Sequence, residues 1–392
     1  MRRRLSALAL TLVLAAAGVA AGCGDDDGGG GGGGPIKIGG IFDLTGATGD
    51  VGTPYADGVK AYVNKLNSDG GIDGRKIDLS WADYAYEIPR AEQLYSRLKS
   101  QGVVAIQGWG TGDTEALRGR IATDKLPFMS ASYDETLSDP KEAPFNFVVA
   151  TTYSQQMRIA LDWIAKRSGG KANVAVFHND SPFGESPIED GKKFIDEKGL
   201  GLGYSSYAMP AEATDYVSEL ERAKGANYIV IQNVSTPAAQ LAKDVKRQGS
   251  KAQIVCLNWC GDELFAKLAG GAAEGVVAVM PFASTTSGVP GLKAPAAAAG
   301  GQAALEKKGV HYVQGWYTMD VMTAGIRKAL EDSDSIDGEK IRTALQEMGA
   351  VQTGEVTGPI KFSADNHAGM KSSRLFQVKG GEWQPITGFE TP

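Results

Sequence analysis

Two short runs constrain this chain most: Val174-Ala175-Val176-Phe177 and Tyr228-Ile229-Val230-Ile231 carry almost no polar break. A strand with one wet face alternates apolar with polar residues. A strand without that alternation is buried on both faces, as parallel sheets covered by helices require. Strand-like and helix-like segments alternate around these runs. Ile36 to Phe42 is a short apolar run ended by Asp43-Leu44-Thr45-Gly46, a strand and then a turn. Tyr55, Val59, Tyr62, Val63 and Leu66 recur on one helical face, and Asn67-Ser68-Asp69-Gly70-Gly71 stops that helix. Lys76 to Trp81 reads as a strand, Pro89 to Lys99 as a helix, and Val103 to Gln107 as a third strand opening into Gly108-Trp109-Gly110-Thr111-Gly112. A helix from about Thr114 to Thr123 and a strand at Pro127-Phe128-Met129 complete a first unit. The pattern resumes with Met157, Ala160, Leu161 and Ile164 on a helix, and Ile254 to Leu257 and Val276 to Met280 extend a second sheet. Helices at Tyr312 to Leu330 and Gly338 to Met348 return to the first lobe. The alternation predicts an α/β protein of two doubly wound lobes.

The N-terminus carries a different kind of information. Arg2-Arg3-Arg4 is a positive n-region, Leu5 to Ala21 is apolar, and Gly22-Cys23 follows directly. The run is too short and too Ala-rich to stay in the membrane as a spanning helix. Val19-Ala20-Ala21-Gly22-Cys23 resembles a bacterial lipoprotein signal, with Ala20 where Leu is usual. That resemblance implies that Cys23 becomes the N-terminus and carries lipid; a secretory peptide with an incidental Cys is the other reading. Gly24 to Gly34, three aspartates and a polyglycine run, is a solvated tether that favours the lipid. Residues 1–22 are thus expected to be a leader and 23–34 a tether. The remaining chain is expected outside the cytoplasm, anchored to the bacterial membrane by its lipid.

Charge and cysteine usage narrow the function classes. There are 40 basic and 46 acidic residues, a net of −6. The leader's three arginines and the tether's three aspartates cancel, so the body is equally acidic. Such a body offers no electrostatic footprint for phosphate backbones, which excludes nucleic acid as a partner. After Cys23 only Cys256 and Cys260 remain, an even pair read either as a short-loop disulfide or as two buried thiols. No metal-ligand spacing accompanies them. His178, His311 and His367 are the only histidines and lie in separate contexts. No G-x-S-x-G, H-E-x-x-H or phosphate-loop motif occurs, and Gly108-x-Gly110-x-Gly112 lacks the dinucleotide spacing. Neither an enzyme nor a cofactor is expected.

The run Asp57-Gly58-Val59-Lys60, Asn64 and Asn67-Ser68-Asp69-Gly70-Gly71-Ile72-Asp73-Gly74-Arg75-Lys76-Ile77 resembles the first-helix signature of the type I periplasmic binding proteins. The similarity is to the leucine/isoleucine/valine-binding branch that feeds ABC transporters. Phe42-Asp43-Leu44-Thr45-Gly46, His178-Asn179-Asp180-Ser181-Pro182-Phe183-Gly184 and Ala273-Glu274-Gly275-Val276 extend it, in the same order, over nearly the whole chain after the tether. The resemblance implies two lobes joined by three crossovers near Ala150, Pro281 and Ala350, with a ligand cleft between them. Lobe 1 would comprise 35–150 plus 282–350, and lobe 2 would comprise 151–281 plus 351–392.

Ligands of doubly wound folds sit at the carboxyl ends of strands, where helix N-termini present free N–H groups. By the resemblance, a ligand carboxylate would meet Thr111, flanked by Trp109, Gly110 and Gly112, and Ser132 with Tyr133. The alternative is that Thr111 caps the next helix and Trp109 packs on the surface. Asp113 and Asp134 are further cap candidates; either would repel a carboxylate if it faced the cleft. From the second lobe the resemblance offers Thr152 and Tyr153, Phe183, Val234 and Ser235, and Asn258 and Trp259. The branched-chain amino-acid binders carry a Glu at the position of Asn258, pairing with the ligand's ammonium. Asn supplies no charge there, so either another acid such as Asp134 or Asp180 substitutes or the ligand lacks an ammonium. Trp109, Tyr133, Phe183 and Trp259 suit a flat or apolar ligand body, or pack the lobes.

The reading that follows is a lipid-anchored solute-binding protein that serves the permease of an ABC importer and closes on a small ligand. A branched-chain amino acid or similar small polar molecule is expected; an amide, a urea or an aromatic acid is the alternative. A sensor feeding a membrane signalling protein is the rival reading of the same architecture.

Overall fold

The computed structural model describes residues 33–331, 333 and 335–392. The leader and Cys23 lie outside the described residues. Two sheets organise the rest. β1 (Ile36–Phe42), β2 (Ile77–Asp83), β3 (Ala105–Gly108), β4 (Phe128–Ser130) and β5 (Asn146–Phe147) form a parallel sheet in the order β2-β1-β3-β4-β5. The second sheet holds β6 (Asn173–Asn179), β7 (Gly203–Met209), β8 (Tyr228–Gln232), β9 (Gln253–Cys256), β10 (Val277–Met280), β11 (Ser373–Lys379) and β12 (Glu382–Glu390). Its order is β12-β11-β10-β9-β8-β6-β7, parallel from β7 to β10 with β11 and β12 antiparallel at one edge. Each sheet, with its helices, makes one α/β lobe.

The unbroken apolar runs behave as their composition requires. β6 and β8 are neighbours in the second sheet, with Val176 opposite Val230, and both side chains are buried. In the first lobe, the Gly49–Ser68 helix buries Tyr55, Val59, Tyr62 and Val63. The Val310–Glu331 helix lies against it, and two glycines allow the approach. A Cβ on Gly58 would stand 2.0 Å from the Tyr312 carbonyl oxygen, and one on Gly315 would stand 2.0 Å from that of Tyr55. The Tyr62 hydroxyl donates to Asp320 at 2.8 Å across the same seam.

Two differences from the sequence reading have clear causes. The helix expected from about Thr114 begins at Thr111, because Gly110 is extended (φ −84°, ψ 169°) and serves as its N-cap. β7, β11 and β12 escaped notice because polar residues interrupt them, so none runs apolar.

In the first sheet the chain steps from β1 outward to β2 and then returns to place β3 on the other side. The second sheet does the same at β6, with β7 on one side and β8 on the other. Each reversal opens a crevice at the carboxyl ends of its strands, the place where such sheets hold ligands.

Candidate functional site

The loops at these two reversals meet. Thr48 and Val51 follow β1, and Trp109, Gly110 and Thr111 follow β3. Phe183 follows β6 and Val234 follows β8. With Tyr86, Ala131, Tyr153 and Trp259 they enclose a cavity of ≈ 20 Å³, room for about one water. Among the described residues no charged side chain belongs to this wall. It is built of rings and hydroxyls.

Aromatic packing explains why the cavity is small. Trp259 lies 5.2 Å from Trp109, stacks on Tyr133 at 5.6 Å and 18°, and stacks on His311 at 4.9 Å and 29°. Its Nε1 donates to the Tyr153 hydroxyl at 2.8 Å, and Phe183 meets Tyr153 edge-on at 5.4 Å. On the facing side, Trp109 Nε1 donates to Thr48 Oγ1 at 2.8 Å, and Thr48 in turn donates to Asp43 at 2.7 Å.

The polar end of the cleft lies at the Thr111–Asp124 helix. Thr111 is the first helical residue rather than the cap, so its side chain is free to face Ser132; the two hydroxyl oxygens are 2.7 Å apart and buried. The helix's first N–H groups and the positive end of its dipole stand beside this pair. Asp113 turns away from it and accepts from the Tyr84 hydroxyl at 2.8 Å, while its Oδ2 is buried without a partner. Burial pushes the Asp113 carboxyl up to about 7, against the Tyr84 bond that favours its ionised form.

Direct bonds join the lobes around the cleft. Asp50 accepts from the Thr236 N–H at 3.0 Å and from its hydroxyl at 2.7 Å; Asp134 accepts from Ser186 at 2.5 Å. Glu263 accepts from the Val310 N–H at 2.8 Å, and His311 Nε2 stands 3.0 Å from Asp262. Burial raises the Asp50 carboxyl despite its Thr236 bonds. For His311, burial opposes the cation. The hydrogen bond and charge of Asp262, helped by Gln314 and Glu263, raise it above the usual histidine value.

The residues expected from sequence therefore divide. Trp109, Gly110, Thr111, Tyr153, Phe183, Val234 and Trp259 are on the wall. Ser132 and Tyr133 back it through Thr111 and Trp259. Thr152, Ser235 and Asn258 are not on the wall. Thr152 caps the Tyr153–Ser168 helix, accepting from Gln155 N in a capping box. Ser235 donates to Asp262 at 2.6 Å. The Asn258 carbonyl accepts from Gln314 at 2.6 Å, and its N–H donates to Gln156 Oε1 at 3.0 Å. Asp134 is the cap of the Glu135–Ser138 turn, as one reading had it, and Asp180 is exposed. Of the two readings for Cys256 and Cys260, the structure has the thiols: both are free and buried, so the disulfide is corrected to two thiols. Cys260 Sγ instead points to the carbonyls of Ile231 and Leu257, at 3.6 and 3.7 Å.

Thr48, Val51, Tyr86 and Ala131 were not foreseen. Tyr86 follows Ala85, and both lie in the left-handed region (φ +52° and +60°) at a cost of roughly 1–2 kcal/mol each. Asp83 helps hold the turn by accepting from Ala85 N at 2.9 Å, and that Asp two residues ahead is the only sequence signal for it.

Two α/β lobes meeting over a ring-lined cleft at both strand-order reversals define a bilobal small-molecule binding protein. The chain belongs to the periplasmic binding protein family, whose model matches residues 35–382. A Leu/Ile/Val-binding protein homolog of Brucella melitensis is 23% identical, over 83% of this chain and 89% of its own length. A leucine-, isoleucine-, valine-, threonine- and alanine-binding protein of Pseudomonas aeruginosa is also 23% identical, over 79% and 82%. Among solved structures, a branched chain amino acid ABC transporter protein from Thermus thermophilus with bound valine superposes with a TM-score of 0.86. It is 27% identical and covers 92% of this chain and 97% of its own. A fatty acid ABC transporter substrate-binding protein from Thermomonospora curvata shares the fold, with a TM-score of 0.81, 21% identity and coverage of 91% and 92%.

Proposed function

We propose that this chain is the extracytoplasmic solute-binding component of an ABC importer, tethered to the bacterial membrane by lipid on Cys23. It would capture a small carboxylate-bearing ligand of amino-acid class by hinge closure. The observation that carries the reading is the Thr111–Ser132 hydroxyl pair at a helix N-terminus, faced from the other lobe by Phe183 and Trp259. A carboxylate there would accept from both hydroxyls and from free helix N–H groups, with the dipole's positive end behind it. The relatives that are named for branched-chain amino acids, and the valine in the Thermus thermophilus protein, support an amino-acid-like ligand. Ligand contacts to both lobes would favour the closed form, which the permease would recognise.

We assign Trp109, Gly110, Thr111, Ser132, Tyr133, Phe183 and Trp259 to ligand contact. Lobe 1 is taken as 35–150 plus 282–350, and lobe 2 as 151–281 plus 351–392. Thermal-shift screening against amino acids, amides, ureas and aromatic acids tests the reading, because a ligand at 100 times its Kd adds about 2.7 kcal/mol of stability. Stabilisation by at least one small carboxylate is expected. Stabilisation only by molecules without a carboxylate would overturn the ligand class.

A further inference from the structure

The wall of this cleft carries nothing to neutralise an ammonium group. It has no charged side chain among the described residues. Asn258, on the segment after β9, is 2% exposed and already engaged. Its carbonyl accepts from Gln314 at 2.6 Å, and only its NH2 is without a partner. That group donates and cannot receive an ammonium.

The orientation of Asn258 is set by a chain of partners. His311 Nε2 faces Asp262 at 3.0 Å, and Nδ1 faces Gln314 Oε1 at 2.7 Å. A proton on Nδ1 makes that nitrogen the donor to Gln314 Oε1. Gln314 must then receive with its carbonyl and turn its NH2 toward Asn258.

Carboxylates of the surrounding loops are committed as well, apart from Asp113, which is off the wall, accepts from the Tyr84 hydroxyl through Oδ1 and keeps Oδ2 buried without a partner. Asp134 accepts from Thr136 N at 2.8 Å and from Ser186 at 2.5 Å. Asp50 is taken by Thr236, and Asp262 accepts from Ser235 at 2.6 Å and from Phe265 N at 2.7 Å. An ammonium closed into this cleft would lose its hydration without gaining an anion.

The opposite end is built for an anion. Thr111 and Ser132 bring two hydroxyls to a helix N-terminus. The rings of Tyr86, Trp109, Tyr153, Phe183 and Trp259 form half of the remaining wall.

We infer that the molecule held here is an apolar or aromatic carboxylate without an ammonium group. The inference rests on the solute-binding reading above, keeps its carboxylate and departs from its amino-acid class. Calorimetry on the wild-type protein after the tether compares leucine with 4-methylpentanoate and 4-methylpentanamide, and phenylalanine with 3-phenylpropanoate and 3-phenylpropanamide. Within at least one series, the carboxylate without the amine should bind about tenfold or more tighter than both the amino acid and the amide, since an unmatched buried charge or a lost charge-assisted bond costs at least that much. An amino acid that binds as tightly as its des-amino partner overturns the inference and leaves the importer reading standing. An amide that binds as tightly as the acid overturns the anion end. Binding by none of the six at millimolar concentration overturns both the inference and the carboxylate reading beneath it.

Discussion

The Asn258 side-chain carbonyl accepts a hydrogen bond from the Gln314 amide at 2.6 Å. Asn258 follows β9 of the second sheet, and Gln314 sits on the helix packed over the first lobe, so the bond links the lobes behind the aromatic wall. Replacing Asn258 with Leu strands the Gln314 NH2, which is 1% exposed. Denaturant unfolding should show a loss of about 1–3 kcal/mol. A loss below about 0.5 kcal/mol, the range of an inconsequential surface change, would mean that the bond contributes nothing.

His311 makes stability depend on pH at the same place. The charges facing it are Asp262 and Glu263 from the segment after β9 and Asp50 from the Gly49–Ser68 helix. Its folded value is raised, so its contribution is complete below the unfolded value near 6.5 and is lost as pH rises through the higher folded value. Melting temperature should fall over that window in the wild type and fall less in His311→Gln. Parallel curves for the two proteins would remove His311 from the account.

Asp113 predicts an effect of the same sign from a carboxyl. Burial raises it from 3.8 to about 7, so the fold favours its neutral form. Its contribution is full below about pH 4 and disappears as pH climbs through about 7. Asp113→Asn keeps an oxygen for the Tyr84 hydroxyl and removes the ionisation. The variant should gain stability relative to wild type between pH 5 and pH 8, as read by thermal unfolding at the two values. A constant difference would contradict the assignment.

Cys23→Ser tests the anchor. The acidic body gives no reason for another attachment to a negatively charged membrane, so the variant should leave the membrane fraction. Retention after a high-salt wash would show that something other than lipid on Cys23 holds the protein.

How far the sequence led depends on the kind of signal. Val174 to Phe177 and Tyr228 to Ile231 announced buried parallel strands because a strand covered on both faces needs no polar residue. β12, largely exposed at the sheet edge, and β11, broken by Arg374 and Gln377, left no such mark. At the site, Trp109, Thr111 and Phe183 were legible through the resemblance, and they lie on the segments after strands at the two reversals. Thr152 and Ser235 occupy equally suggestive positions, yet a cap and the Asp262 bond consume their hydroxyls. Such competition depends on three-dimensional neighbours. Tyr86 reaches the wall only through two left-handed residues, a backbone choice that its side chains do not encode.

The central claim is that two lobes close on a ligand. Small-angle X-ray scattering of the wild-type protein, with and without a ligand that raises its melting temperature, tests it most directly. The account predicts a smaller radius of gyration at saturation, as contacts such as Asp50–Thr236 and Asp134–Ser186 are held in a larger share of molecules. Superimposable profiles with and without saturating ligand would contradict hinge closure.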